Sequence, residues 1–353
     1  MARFPRVFTG FAFFMAFMAS VIFVQYSAAQ VGTVLGAPNT CAHTFYIDFS
    51  TGNDAAGGTR ANPWKRHPYM TGWSGSYTHT AGDCFIFKGG VTWDHTAMPL
   101  YTQAGGTSGA APDYYGVDVT WYTGGSWTRP IFDCQSTLGC NTNIQDAGGI
   151  NNITWDSLEI RGIWCAANVN CWNFYSSGDA NTNLVVNNIN AHNWRMSHTW
   201  SSDAQVGGLF FCCDTGAGAG SVVQNSLIHN EDGGYMASGD GSIQIAGAGG
   251  EAISRVQNVI FNEIHDTTTA LLHGGMLVHD NYIHDGVSSW DPSWHTNGLY
   301  ADSWQQNAIT LPQYIYRNKI INWKANAAPI YPNPCYFSSQ AGGTRQFTFT
   351  TIS

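Results

Sequence analysis

The pentapeptide Asn262-Glu263-Ile264-His265-Asp266 returns 19 residues later as Asn281-Tyr282-Ile283-His284-Asp285, inside a stretch that runs from Val256 to Asp302. A short unit that repeats this closely reads as one turn of a solenoid, because a turn that cannot bury its apolar face alone stacks on a copy of itself. The pattern Asn-x-Ile or Asn-x-Leu extends outward from there. It begins at Asn151, Asn187, Asn225, Asn262, Asn281 and Asn318, at intervals of 36, 38, 37, 19 and 37 residues. A rung of three short strands with turns needs roughly twenty residues at about 3.3 Å each. The 19-residue interval is then one tight rung, and the longer intervals are either two rungs or one rung with a long loop. Asn suits a turn in such a stack, since it tolerates left-handed dihedrals and can hydrogen-bond from rung to rung. The Ile or Leu two residues later points inward if the Asn stands at the mouth of the turn.

The rest of the chain agrees. Thr44–Asp48, Cys84–Lys88, Val117–Tyr122 and Trp127–Asp133 read as short strands between Gly- and Asn-rich turns, and no segment holds a helical period for three turns. The expectation is an all-β chain wound as a parallel β-helix of about ten coils. Residues 1–29 form a signal peptide, 30–43 a linker, and 44–353 one solenoid domain. The last strand, Arg345 to Ser353, has nothing after it to cover its edge, so another rung, a partner or further chain is expected there.

Arg3 and Arg6, the apolar run from Val7 to Val24, and Ser27-Ala28-Ala29 make the secretory signal; an uncleaved anchor is the competing reading. No later run is long enough to span a bilayer. The mature chain is expected to be secreted, periplasmic or held at the cell surface, and monomeric. Its net charge of −9 becomes −11 without the two signal arginines, and only 10% of residues are charged. That excludes nucleic acid as a partner, which requires clustered Lys and Arg. Many uncharged polar residues and 14 Trp suit a protein that faces sugars, so an extracellular polysaccharide is the expected partner. Nine Cys in an exported chain imply disulfides. Cys134 with Cys140 and Cys165 with Cys171 share one spacing, Cys41 with Cys84 is a further pairing, and Cys212 and Cys213 pair with each other or elsewhere. No His/Cys grouping has zinc spacing.

Phe45-Tyr46-Ile47-Asp48, then Gly52-Asn53-Asp54, Gly58-Thr59 and Asn62-Pro63-Trp64, is similar to the opening signature of the secreted right-handed parallel β-helix, or pectate-lyase-like, superfamily. Gly82-Asp83-Cys84-Phe85-Ile86-Phe87-Lys88-Gly89-Gly90 resembles the coil that follows, and the Asn-x-Ile-His-Asp rungs resemble its later coils. The resemblance covers most of residues 44 to 325. It implies a right-handed solenoid with a substrate cleft on one outer sheet, occupied in relatives by polysaccharide lyases, glycoside hydrolases and epimerases. Trp294-His295-Thr296-Asn297-Gly298-Leu299 resembles the family's His-x-Asp-Gly-Ile element, with Asn297 where the acid would stand. The adjacent Asp pair and Gly-His-Gly of polygalacturonase-type hydrolases are missing, and Arg317-Asn318-Lys319 only echoes their basic motif.

Histidines gather between His229 and His295, and His229, His265 and His284 hold the same place in their rungs. They form either a structural ladder bonded to Asp266 and Asp285 or a column of general acids and bases. A lyase acting on a uronate needs a base and a cation to neutralise the carboxylate. The candidate bases are His265, His284, His295 and Lys324, and Arg255 and Arg317 offer positive charge. Asp285, Asp291 and Asp302 are the expected ligands of Ca2+. Trp290, Trp294, Tyr300 and Trp304, with Arg317 and Lys324, are the expected substrate contacts. A hydrolase needs two carboxyls about 5 to 9.5 Å apart, and Glu231, Asp232, Asp240, Glu251 and Glu263 supply acids without singling out a pair. A glycan-binding or surface structural protein needs only exposed rings. Lyase leads these readings.

Overall fold

The computed structural model describes residues 32–166, 169–176, 181–196, 206–211, 220–231, 234–236, 243–244, 251–272, 277–287, 298–301, 313–323, 335–337, 345–348 and 351–352. Among them there is no helix. Strands form three long sheets of ten, eight and twelve members, and every pairing between strands is parallel except that of Gly234–Met236 with Ile243–Gln244. The chain visits the sheets in a fixed order. Asn258–Ile260 lies in the ten-stranded sheet, Glu263–His265 in the twelve-stranded one and Thr269–Leu272 in the eight-stranded one. Leu277–His279 then pairs back onto Asn258–Ile260. This is the parallel β-helix expected from the repeat, and its 19-residue rung is one coil. The intervals near 37 are also single coils, each with inserted chain.

Alternation along each strand sends one residue column inward. In the ten-stranded sheet the column runs Phe85, Tyr115, Trp155, Val186, Val223, Val259, Val278, Ile315, all buried. Its first members stack, with Phe85–Tyr115 centroids 4.9 Å apart and Tyr115–Trp155 4.2 Å apart. Ile160, Ala191, Ile228, Ile264, Ile283 and Ile320 form the inward column of the twelve-stranded sheet. Leu100, Ile144, Phe174, Leu209, Ile253, Leu271 and Leu299 form that of the eight-stranded sheet.

The corner from the ten- to the twelve-stranded sheet is always two residues from Asp156 to Lys319. The first has positive φ in every coil: Ser157, Asn188, Asn225, Phe261, Asp280 and Arg317, between 51° and 63°. The second points into the corner, and from Ser226 onward it is polar: Ser226, Asn262, Asn281, Asn318. These side chains form a buried ladder. Asn262 N–H donates to Asn281 Oδ1 at 3.0 Å and Asn281 N–H to Asn318 Oδ1 at 3.1 Å, while each Nδ2 donates to a carbonyl, Val223, Val259 or Val278. The expected asparagine stack therefore exists, but in a different register. Only Asn262, Asn281 and Asn318 share a position; Asn225 occupies the left-handed residue before it, and Asn187 and Asn151 lie in the strands of the ten-stranded sheet. Left-handed backbone and amide ladder are adjacent residues, not one.

The three disulfides Cys41–Cys84, Cys134–Cys140 and Cys165–Cys171 are formed as expected; Cys212 and Cys213 lie outside the described residues. Residues 33–41, expected as part of a linker, run over the outer face of the ten-stranded sheet. Leu35 and Gly36 N–H groups donate to Asp156 Oδ2 at 3.0 and 2.9 Å, and Asn187 Nδ2 donates to Thr33 O at 2.8 Å. At the first coil Lys88 Nζ donates to buried Asp48 at 2.7 Å; burial pushes this carboxyl up, and the bonds from Lys88, Ser50 and Thr51 outweigh that and bring it to about 2. No helix among the described residues is long and apolar enough to cross a membrane.

Two predictions follow from the interior. Replacing Asn281 with Ala strands the Asn262 amide and the Val259 carbonyl in a dry corner, and should cost about 3 kcal/mol in denaturant unfolding. Asp146 faces the core beside Thr102, and burial raises its pKa to about 7. An acid raised in the folded state lets the unfolded chain lose its proton first. Stability should thus fall as pH rises from about 4 to about 7, by on the order of 4 kcal/mol, and stay level above. Asp146→Asn should remove that slope in unfolding curves measured across the range.

Candidate functional site

The three-residue strands of the twelve-stranded sheet present their first and third residues outward. The third residues align as His192, His229, His265 and His284. Their rings stack at centroid distances of 4.9, 5.0 and 4.8 Å, with interplanar angles of 5°, 16° and 22°. His229 and His284 are bonded on both edges, His265 through Nδ1 and His192 through Nε2. Nδ1 of His229 donates to Glu231 at 2.5 Å, that of His265 to Asp266 at 2.7 Å and that of His284 to Asp285 at 2.8 Å. On the other edge Nε2 faces the first residue of the preceding rung: Glu159 at 3.3 Å from His192, Asn190 at 3.0 Å from His229, Glu263 at 3.2 Å from His284. For His265 the corresponding residue is Leu227, which offers no polar atom.

Burial pushes His229 below its ordinary value; Glu231 restores part of this, and the neighbouring imidazoles of His192 and His265 add smaller downward pushes. Burial pushes Glu159 and Glu231 up, but their imidazole partners, with Arg161 at Glu159, more than offset it and keep both carboxyls low. Asp285 is held low by the bonds from His284 and Asn322. Carboxylates at Nδ1 favour a proton on that nitrogen in His229, His265 and His284, whereas His192 meets its carboxylate through Nε2.

His265 and His284 are therefore brought together, on one face. Asp285 supports His284, and its other oxygen accepts from Asn322. Arg317 stands apart, in the corner beyond the opposite end of its strand, where it bonds Asp280 through Nε at 2.7 Å. Tyr300 lies on Leu299–Ala301 of the eight-stranded sheet. Trp290, Asp291, Trp294, His295, Asp302, Trp304 and Lys324 lie outside the described residues, as do Asp232 and Asp240. Sequence reading missed His192, because Ala191 stands where the other rungs have Ile. It also missed that Glu159 closes the ladder at its first end.

A second face shares the site's surroundings. From Asp156 onward every corner from the ten- to the twelve-stranded sheet has two residues, and the junctions into and out of the eight-stranded sheet carry the inserted chain: 285–298 and 322–334 on entry, 212–221 and 302–312 on exit. The outer side of that sheet is aromatic. Phe210 packs on Trp172 at 4.8 Å and on Tyr175 at 5.2 Å, and the Arg255 guanidinium lies 4.9 Å over the Phe210 ring. Arg255 leaves the strand with positive φ, 66°.

No family model matches the chain, and no curated protein matches it. Among solved structures the chain is similar to the GH136 lacto-N-biosidase from Eubacterium ramulus. The native protein has a TM-score of 0.31 and 10% identity, over 88% of this chain and 68% of that one. The selenomethionine derivative gives 0.33 and 11% over the same shares. A rhamnogalacturonan lyase matches with a TM-score of 0.35 and 11% identity, over 83% of this chain and 65% of that one. Likeness at this level bears on neither substrate nor reaction.

Proposed function

We propose that the protein is a secreted enzyme that acts as a monomer on an extracellular polysaccharide, and that it works at the outer face of the eight-stranded sheet. The observation that carries this reading is the placement of inserted chain. Every long insertion in the coils from Asn151 onward borders that one sheet, and loops raised on a rigid scaffold are where binding and catalytic residues concentrate. The residues read from sequence as sugar contacts, Trp290, Trp294 and Trp304, fall in those insertions, and Tyr300 is on the sheet itself. Trp172 and Phe210 are buried beneath this face, and the half-buried Tyr175 ring with the guanidinium of Arg255 near it suits a sugar that carries a carboxylate.

The reaction that fits is β-elimination on a uronate. Arg255 neutralises the carboxylate. His295 removes the proton on the adjacent carbon, the bond to the leaving sugar oxygen breaks, and a carbon–carbon double bond forms conjugated to the carboxylate. The leaving oxygen takes a proton from solvent or a neighbouring acid. A hydrolase on the same face is the second enzyme reading, and a non-catalytic glycan binder is the third.

The test is ultraviolet absorbance of the unsaturated product while the mature protein incubates with a panel of uronate polysaccharides. A rise on one substrate is expected, with Arg255→Met and His295→Ala each slowing it about 100-fold or more at unchanged thermal midpoint. Flat traces over the whole panel would sink the elimination. Reducing-end release from neutral glycans would then establish the hydrolase, and silence in both assays would leave binding alone.

A further inference from the structure

We propose that Glu263, His265 and His284 form a binding site for a transition-type divalent cation such as Zn2+, on the twelve-stranded sheet and separate from the polysaccharide face. The three offer donor atoms that all lie within 4.8 Å of one another. Four ligands at about 2.0–2.1 Å around a tetrahedral ion stand about 3.4 Å apart, so side-chain rotation alone closes the set. The donors are two imidazoles and a carboxylate, which suits zinc and its neighbours rather than calcium or magnesium.

The tautomers are already arranged for this. A metal-ligating imidazole usually gives its other N–H to a carboxylate, which fixes ring orientation and raises ligand basicity. Here Asp266 takes the Nδ1–H of His265 and Asp285 that of His284, at 2.7 and 2.8 Å. Both Nε2 atoms are left for the ion, and Nε2 of His284 is 3.2 Å from Glu263 Oε1. Leu227 opposite His265 explains itself in the same terms: a polar residue there would compete for the nitrogen that the ion requires. All three side chains are partly exposed, at 22%, 17% and 14%, so positions on the ion remain open to water or an anionic ligand. Three protein ligands with an open position describe a reactive rather than a structural site.

A second grouping, His229, Glu231 and His265, also brings three donors within 4.8 Å. It is the poorer set. His229 would bind through Nδ1 with its Nε2 backed only by the neutral amide of Asn190, and His265 would have to release Asp266 to use Nδ1. The 19-residue repeat itself makes the better site, since one rung supplies Glu263 and His265 and the next supplies His284.

The experiment uses the mature chain without an affinity tag, stripped of metal and titrated with Zn2+ by calorimetry and with Co2+ by visible absorption. One Zn2+ per chain and the d–d bands of a low-coordinate Co2+ site are expected. His284→Ala and Glu263→Gln should each weaken Zn2+ about 100-fold or more, and Asp285→Asn about 10- to 100-fold through the lost support. His95→Ala and His229→Ala should leave the affinity unchanged. Circular dichroism and the thermal midpoint establish that each variant is folded; should His284→Ala fail, the isosteric Glu263→Gln carries the test. A folded wild-type chain that takes up no stoichiometric Zn2+ overturns the proposal, as does full affinity in Glu263→Gln and His284→Ala. Loss in His229→Ala with retention in His284→Ala overturns it too, by moving the ion to the neighbouring grouping. None of these outcomes depends on turnover of a polysaccharide.

Discussion

The two-residue corner between the ten- and twelve-stranded sheets is the constraint on which the other features rest. A strand slip of one residue would exchange inner and outer faces, and a solenoid with variable insertions has ten coils in which to slip. The corner prevents it by a conformational device and a polar one. Positive φ at its first residue turns the chain sharply, and the buried side-chain oxygen of the second accepts the backbone N–H of the equivalent residue in the preceding rung. Buried amides that satisfy one another cost little to keep and much to break. The cost of the device shows at Phe261 and Arg317, bulky residues held at φ 57° and 51° where Asn or Ser is the ordinary occupant.

With that corner fixed, variation is displaced elsewhere. From Asp156 onward the chain lengthens where the coil enters and leaves the eight-stranded sheet, whereas an earlier coil inserts residues 117–130 between the ten- and twelve-stranded sheets. The core changes along the axis as well: aromatic rings fill the first three members of the inward column of the ten-stranded sheet, and Val and Ile the rest. Cross-links follow the same gradient, with all three described disulfides ahead of residue 172.

How much of this the sequence showed depended on whether the signal was local. The repeat of Asn-x-Ile-His-Asp exposed the solenoid, the coil length and the alignment of His229, His265 and His284, because rung neighbours share a residue pattern. The two short loops Cys134–Cys140 and Cys165–Cys171 were legible from their shared spacing, whereas no spacing singled out Cys41–Cys84. The length of the other coils was not, since an interval of 37 fits two rungs or one. His192 escaped because its rung replaces Ile with Ala, and the carboxylates at Nε2 escaped because they come from the preceding coil, at separations of 33 and 21 residues. A search for zinc by His/Cys spacing also passes over a Glu-x-His on one rung that meets a His on the next. Contacts across the stack are invisible to any reading that stays within one rung.

The ladder is more than an ornament of the repeat, and electrostatics says why. Two protonated imidazoles about 5 Å apart repel by about 3 kcal/mol at an effective dielectric near 20, so four stacked rings cannot all carry charge without help. The chain places carboxylates along both edges of the column, more than neutral rings would need and in an order that leaves His265 and His284 with Nδ1 occupied. A purely structural ladder gains nothing from keeping Leu227 opposite Nε2 of His265 when Glu or Asn fills that place in the other rungs. A cation bound at Nε2 removes the need for protons on the same rings and lets Glu263 serve as ligand instead of counter-ion. The excess of negative charge, the fixed tautomer and the one apolar neighbour are then a single arrangement, in which the positive charge that the column lacks is supplied by a metal.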